Sequence, residues 1–536
     1  MIPTLSGLGV TTALVWRRSR RFWILWVLGL VSLMPLTVTK YHDLVPAGSS
    51  PEQLLTTLGS NPTMRAILGV PYDLSTSGGF TMWRVGAFTG WAAAFVSLFA
   101  VISATRADEE EGRTDLVRSG AVGRHAVLGG ALLVSMVATG ALGLLTAGAL
   151  LAEGTAVAGS VAAGLGITAI SWVFCGVGAV CAQVFESARQ ARSWAAGIVL
   201  GGLFLVRAMI DGSASDRVQE LRWLVPLEWP QLVRPYAGER WWVFALPLAL
   251  TAVLVAVALT LESHRDLGAG MWSTPPGRAD AHHSLRNATA LAWRLQRTGV
   301  ISWTIGVLIS AIGMGSIGSQ VQKLLQGNPQ FAEMMAKLGG TTQLTSAFNI
   351  AMLGIMTTVI SVAAVQFLSH HRAEEKSGRL EVIAATATSR WGLLGSHLWI
   401  AVVVPTVLVI ASGVGVPLVQ ALSGNQTHLL VDYLRAALAL LPGLLVVIGI
   451  GTALIGWLPR WFGLTWAVVG WSMFCTWLAP LFNLPAWLVA LQPWGHLPKL
   501  PADPMNWWPV VIETVVGLGL IVVGAVGHRR RDLIGG

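Results

Sequence analysis

Apolar runs of about 20 residues recur along the chain, separated by short polar stretches, and that is the length a helix needs to cross a bilayer. In the first half they cover roughly residues 22–40, 81–104, 126–152, 155–184, 195–212 and 241–261. In the second half they cover roughly residues 299–319, 346–369, 392–422, 429–456, 462–482 and 507–527. The pattern predicts an all-α polytopic membrane protein with twelve transmembrane helices.

Composition and charge fit this prediction. Of 536 residues, 54% are hydrophobic and 11% are charged, and the mean hydropathy is +0.64, far from a soluble globular chain. The 35 Lys and Arg residues fall mostly in loops that would lie on one side, which predicts that both termini are cytoplasmic. Because these charges are spread over loops and form no aromatic-interleaved patch, nucleic-acid binding is not needed to explain the basic pI of 10.1.

The two halves share motifs. The stretch from Arg106 to Arg113 recurs 266 residues later from Arg372 to Arg379, and Arg265-Asp266-Leu267 recurs as Arg531-Asp532-Leu533. We interpret the chain as two parallel six-helix domains, residues 1–262 and 291–536, joined by a cytoplasmic linker at 263–290.

The charged loop after the second span of each half is the candidate site. Glu109 and Arg113, like Glu375 and Arg379, are four residues apart with the acid first, which predicts exposed helices at 107–120 and 373–386. We interpret these as coupling helices that receive motion from a motor; solvated surface charge is the alternative. The predicted coupling residues are Glu109, Glu110, Glu111, Gly112, Arg113, Arg118, Glu374, Glu375, Gly378, Arg379, Glu381 and Arg390.

The chain contains no GxxxxGK[ST] phosphate-binding loop and no soluble stretch long enough for an ATPase. A motor would therefore be a separate subunit. No catalytic residue, metal site or cofactor is predicted in the chain itself.

Several motifs resemble a known family. They are the two Glu-rich loops with Gly-Arg, the Arg-Asp-Leu-Gly-Ala that begins at Arg265, Leu291-Ala292-Trp293-Arg294, and the Trp223-to-Trp229 segment that continues to Tyr236. Over nearly its whole length the chain resembles the ABC-2-type permeases of the actinobacterial exporters of polyketide antibiotics, the tetronasin- and tetracycline-type efflux permeases.

The resemblance implies two fused six-helix ABC-2 permease domains, similar to type V exporters, with re-entrant segments at 213–240 and 483–506. It implies two copies of a separate ABC ATPase that bind ATP and Mg, and export of amphipathic drugs from the cytoplasm or inner leaflet across the cell membrane of an actinobacterium. An exporter of a lipid or cell-envelope precursor would need a cavity with similar walls, so such a precursor remains an alternative cargo.

Apolar and aromatic side chains on the second span of each half are candidates for the wall of a substrate cavity. They are Trp91, Phe95, Met352 and Met356.

Two other classes of protein are alternatives. A proton-coupled secondary transporter would need ionisable residues buried at mid-membrane, and the sequence offers few. A membrane enzyme would need a catalytic or metal-binding cluster; the His282-His283 and His370-His371 pairs have no Cys or carboxylate at ligand spacing. We expect both pairs to be solvated.

Overall fold

The computed structural model describes residues 4–41, 65–66, 68–213, 215–272, 280, 282–283, 285–327, 341–423, 426–477 and 485–532. The chain divides into two compact units, Met1–Gly277 and Arg278–Gly536. The described residues are helical apart from turns and one isolated parallel bridge between Phe185 and Trp272. The prediction of an all-α fold is confirmed.

Each unit contains seven main helices in the same order. Those of the first unit are α1 (Leu8–Thr39), α2 (Ser77–Glu110), α3 (Arg113–Arg118), α4 (Ala126–Ala152), α5 (Val157–Val184), α6 (Ala188–Gly212) and α7 (Trp241–His264). Those of the second unit are α8 (Ala288–Gly327), α9 (Thr341–Lys376), α10 (Arg379–Ala384), α11 (Arg390–Ser423), α12 (His428–Trp457), α13 (Leu464–Trp477) and α14 (Trp507–Arg530).

Eleven helices of the described part of the chain are long and apolar enough to cross a membrane. The predicted span at 462–482 corresponds to α13, which has 14 residues, and residues 478–482 of that span lie outside the described residues. The count of twelve and the cytoplasmic position of the termini stay predictions.

The packing order is the same in both units. In the first, α5 contacts α2, α4 and α7, and α1 packs on α4; in the second, α12 contacts α9, α11 and α14, and α8 packs on α11. Small residues let the backbones approach, since a Cβ on Gly143 would meet the backbone of Gly164 in α5, and one on Gly456 would meet Gly524 in α14. The second helix of each unit therefore lies against the buried central helix.

The segments between α6 and α7 and between α13 and α14 hold short helical turns, Leu221–Leu224, Pro226–Glu228, Trp229–Leu232 and Ala486–Val489. Leu227 and Val233 of the first segment are buried. In the second segment, the Trp494 indole N–H donates to the Leu440 carbonyl at 3.0 Å. Both segments pack against the helices of their own unit, and their re-entrant placement in a membrane stays a prediction.

Candidate functional site: two charged elbows

An elbow follows the second long helix of each unit. We call residues 106–118 the first elbow and residues 372–384 the second elbow. Gly112 and Gly378 lie at the bends with φ of 70° and 73°, the left-handed region that glycine adopts without strain. Helices α3 and α10 follow them, each six residues long. The single helices predicted at 107–120 and 373–386 are therefore wrong, because a glycine breaks each of them.

In the first elbow, Glu109 belongs to the last turn of α2 and is 5% exposed. Its two carboxylate oxygens each accept a bond from the guanidinium of Arg265 at 2.7 Å, just beyond α7. The Gly268 backbone N–H also donates to it at 2.6 Å, and Arg106 lies 3.2 Å away. Such a bidentate pair fixes geometry as well as charge, so Glu109 connects the end of α2 to the end of α7.

In the second elbow, Glu375 is the corresponding carboxylate at the end of α9, and its side chain is 1% exposed. It pairs with Arg372 at 2.9 Å and with Arg531, which immediately follows α14. Arg531 stands 266 residues after Arg265, so the same acid of each elbow contacts the same arginine beyond the last helix. The second and last long helices of each unit are thus joined by a buried ion pair.

A second acid in each elbow holds the arginine that follows the bend. Asp108 accepts from Arg113 at 2.6 and 3.1 Å, and Glu374 accepts from Arg379 at 3.0 Å through two bonds. The Glu374 hydrogen bonds raise the pKa of Arg379. The expected pairing of Glu109 with Arg113 and of Glu375 with Arg379 is wrong, since the glycine bend places each arginine next to the earlier acid.

The start of the third long helix is also attached to the end of the last one. Arg124 donates to the carbonyl oxygens of Glu262 and Arg265 at 3.1 and 3.0 Å. Arg390 donates to those of Arg529 and Arg531 at 3.2 and 2.5 Å. A cation at carbonyls near a helix C-terminus is favourable. Each elbow is therefore fixed on both sides to the last helix of its unit.

One face of each short helix is left exposed. Thr114 and Leu380 are buried, whereas Leu116 is 77% exposed and Val382 is 74% exposed. These two residues stand 266 positions apart, and each is preceded by an exposed acid, Asp115 or Glu381. An acid beside a large exposed apolar side chain, at matching positions, is suited to contact another protein.

The remaining predicted coupling residues divide into two groups. Glu110 accepts a bond from the Ala188 N–H at the start of α6 at 2.9 Å, and Arg118 pairs with Glu262 of α7 at 2.9 Å, so both are used within the unit. Glu111 is 60% exposed beside Arg113. The structure brings the predicted residues of each unit to one elbow; their coupling role stays a prediction.

The four predicted cavity residues do not line one described cavity. Trp91 lines a narrow pocket of about 40 Å³ at the end of α2 away from the elbow. Phe95 is 41% exposed and its ring stacks on that of Phe99 at 4.4 Å. On α9, Met352 is half-buried and Met356 is 5% exposed. Their role in substrate binding stays a prediction.

Of the two histidine pairs, His282 and His283 are exposed as expected, whereas His371 is not. His371 is fully buried on α9, with its ring 5.4 Å from that of His397 and 4.9 Å from that of His528, so a solvated His371 is wrong. Within the described ranges, no group of three His, Cys, Asp or Glu residues can hold a metal ion.

Sequence reasoning missed the partners of the elbow acids and the exposed apolar pair. Arg265 and Arg531 were visible only as repeated motifs, and Leu116 and Val382 differ in type although they share a position. The 266-residue spacing was the available signal. What the arrangement can do is mechanical: a push on α3 or α10 would reach the preceding long helix through the ion pair at the bend, and the last helix through the buried ion pair next to it.

Comparison with known proteins gives the family. The family profile described as "Multidrug efflux system permease Rv1217c, C-terminal domain" matches residues 8–261 and 285–529. The multidrug efflux system permease protein Rv1217c of Mycobacterium tuberculosis (strain ATCC 25618 / H37Rv) is 35% identical over 522 residues, which cover 96% of this chain and 93% of that protein. With its many apolar helices, the chain is a multi-pass membrane protein.

Proposed function

The chain belongs to the family of the multidrug efflux system permease Rv1217c, and from that membership we propose that it is the membrane-spanning permease of an ATP-driven exporter. It extrudes amphipathic drugs or antibiotics across the cell membrane. In this proposal it is an ABC-2-type permease powered by two copies of a separate ATPase, which bind the ATP and Mg.

The observation that carries the proposal is the matched exposed surface of the two elbows. Each unit presents an acid followed by a large apolar residue, Asp115-Leu116 in one and Glu381-Val382 in the other. Two equivalent surfaces suit two copies of one partner. An exposed apolar side chain that becomes buried in such a contact stabilises it by roughly 25 cal/mol for each Å² removed from water.

The buried ion pairs give the contact a mechanical consequence. A partner that moves α3 also moves Arg113, which is held by Asp108 at the end of α2. Glu109, the next residue of α2, is held by Arg265 beyond α7. Motion of the partner therefore reaches two membrane helices of the unit without passing through a flexible loop, and the same connections exist at the second elbow.

The test is co-purification of the tagged chain with the product of any ATPase gene beside its own, followed by transport in proteoliposomes. Two ATPase copies for each permease, and transport that needs ATP on the ATPase side, are expected. Uptake driven by a proton gradient with no ATPase bound would contradict the proposal and favour a secondary transporter. ATP-dependent movement of a labelled lipid but of no drug would identify a lipid or cell-envelope precursor as the cargo.

A further inference from the structure

A cleft lies beside the first elbow, between α1, α2 and α4. Its volume is about 330 Å³, within the range of small-molecule sites. Its lining includes Arg18, Phe22 and Trp23 of α1 and Phe99 and Asp108 of α2. They divide into an aromatic wall and one charged end.

The aromatic wall consists of Phe22, Trp23 and Phe99. The rings of Phe22 and Trp23 meet edge to face at 5.5 Å, and the ring of Phe99 stacks on that of Phe95 at 4.4 Å. Trp23 is 3% exposed, whereas Phe22 is 38% exposed. The wall is therefore anchored in the unit but presents an open aromatic face, which favours a flat apolar body.

The charged end is formed by Arg18 and Asp108, and Arg113, which also pairs with Glu111, contacts the same carboxylate. The Asp108 carboxylate accepts from Arg18 at 2.5 and 3.1 Å and from Arg113 at 2.6 and 3.1 Å. Both oxygens are already engaged, and two guanidinium groups share one carboxylate. Arg18 remains 46% exposed at its side chain and has N–H groups left over. This end can donate to a further acceptor but has little capacity to accept.

The arginine of the charged end is not repeated in the second unit. The alignment that places Leu14, Trp16 and Arg17 over Leu291, Trp293 and Arg294 also places Arg18 over Leu295. Leu295 and Glu374 line a cavity of only about 10 Å³, room for about one water molecule. There the acid holds Arg379. The pairing of Arg18 with an elbow acid is therefore a feature of the first unit.

We propose that this cleft binds an amphipathic anion, with the apolar body on Phe22, Trp23 and Phe99 and the anionic group on Arg18. A ring-bearing acid awaiting export and the headgroup of an anionic lipid are two sources of that chemistry. The proposal rests on the proposed efflux function for its meaning. Because Arg18 and Arg113 share Asp108, an anion that draws Arg18 away changes the contacts of the first elbow, so occupancy is sensed where the partner docks.

The test uses three fluorescent probes with one ring system: 9-anthracenecarboxylate, 9-anthracenemethanol and 9-anthracenemethylamine. Binding to the full chain in phosphatidylcholine nanodiscs, without ATPase, is measured by fluorescence anisotropy. We expect the carboxylate to bind most tightly. Arg18→Gln should weaken its binding about tenfold or more, the size of a charge-assisted hydrogen bond, and leave the alcohol unchanged. Phe22→Ala should weaken all three probes by a similar factor.

Arg17→Gln is the matched control, because Arg17 is an exposed arginine of the same helix that does not line the cleft. Equal effects of Arg17→Gln and Arg18→Gln, or equal affinity for the alcohol and the carboxylate, would overturn the proposal. Discs that also contain phosphatidylglycerol separate the sources: retained probe binding identifies a ring-bearing acid, and lost binding identifies the lipid headgroup on the same anion site. Since no ATPase is present, an absence of probe binding would not contradict the proposed ATP-driven transport. Likewise, an absence of ATP-driven transport would not contradict anion binding in the cleft.

Discussion

The two elbows share a frame and differ in what surrounds it. In both, a glycine bend, an acid bonded to the arginine beyond the last helix, and an acid bonded to the arginine after the bend occupy corresponding positions. Next to this frame, Glu262 of the first unit accepts from Arg118 and contacts His125. His528 occupies the corresponding position of the second unit, beside His371.

The comparison distinguishes the contacts that both elbows share from the contacts that differ between them. The acid-to-arginine bonds join helices distant in sequence, so both units need them for the same geometry. The polar contacts around Glu262 and the histidines behind Glu375 fill the same space with different chemistry. The first unit also has Arg18 beside its elbow acid, where the second unit has Leu295. We infer that the two halves have the same mechanical connections and unequal ligand contacts.

The largest effect is expected from removing a buried elbow acid. Glu109→Ala leaves Arg265 and Arg106 without their carboxylate, and breaking a buried pair costs about 3–5 kcal/mol. Glu375→Ala should have a similar effect, because it leaves Arg372 and Arg531 without their carboxylate. The temperature of thermal unfolding in detergent measures both.

Buried cysteines allow each unit to be read separately in that experiment. Cys175 and Cys181 lie in the first unit and Cys475 in the second, and all three are buried and free. Labelling by a thiol-reactive dye in a Cys475→Ala background reports the first unit, and in a Cys175→Ala and Cys181→Ala background the second. Glu111→Ala, at a 60% exposed carboxylate, is the control and should change stability by less than about 1 kcal/mol. Normal unfolding of Glu375→Ala would show that the elbows are not equivalent.

The next effect concerns the exposed apolar pair. Leu116→Asp and Val382→Asp should each weaken ATPase binding by about 2 kcal/mol, roughly 30-fold, if both residues are central to the contact. Unfolding should not change because both side chains are exposed. Retention of the ATPase on the tagged chain is the measurement, with Ser119→Asp and Ala385→Asp as controls at nearby exposed positions. Loss with only one variant would mean that a single elbow docks the partner.

A third prediction tests the unequal surroundings, with opposite signs in the two units. Glu262→Leu removes the acceptor of Arg118 and should lower the free energy of unfolding by about 1.5–3 kcal/mol. His371→Leu should raise it by about 1 kcal/mol, because both ring nitrogens of His371 are buried without a hydrogen-bond partner. The unit-specific thiol assay measures each change. A destabilising His371→Leu would show that the histidine group supports the second elbow.

The smallest effect is expected at the bends. Gly112→Ala and Gly378→Ala should each cost about 1 kcal/mol, because a Cβ is strained at this φ, although there is open space around it. Asn tolerates the left-handed region better, so Gly112→Asn and Gly378→Asn should lie nearer to the wild type in unfolding temperature. Equal costs for Ala and Asn would argue that something other than φ is limiting.

The helices were largely predictable because apolar runs in a membrane chain have one stable local solution. The run at 126–152 matches Ala126–Ala152, and that at 429–456 matches His428–Trp457 within one residue at each end. The run at 22–40 missed the first turns of Leu8–Thr39, because the arginines there lower hydropathy without interrupting the helix. The predicted helix boundaries were wrong where polar residues extend a helix beyond its apolar run.

The candidate site was located by sequence but not resolved by it. The density of charge after the second span of each half indicated both elbows, and spacing alone suggested that Glu109 pairs with Arg113. The actual partner, Arg265, is 156 residues away. Residue type did not predict burial either. The charged side chain of Glu109 is buried and the apolar side chain of Leu116 is exposed, the opposite of what their polarity suggests.

The sequence by itself therefore determined the helical class, the position of most apolar helices and the place of both charged elbows, because hydrophobic length and local charge act over short stretches of chain. The tertiary structure decided which acid meets which arginine, which face of each short helix stays open, and that Arg18 and Asp108 lie together at one end of a cleft in the first unit. These contacts depend on packing between helices that are far apart in sequence. A local sequence pattern does not show which distant helix a side chain will meet.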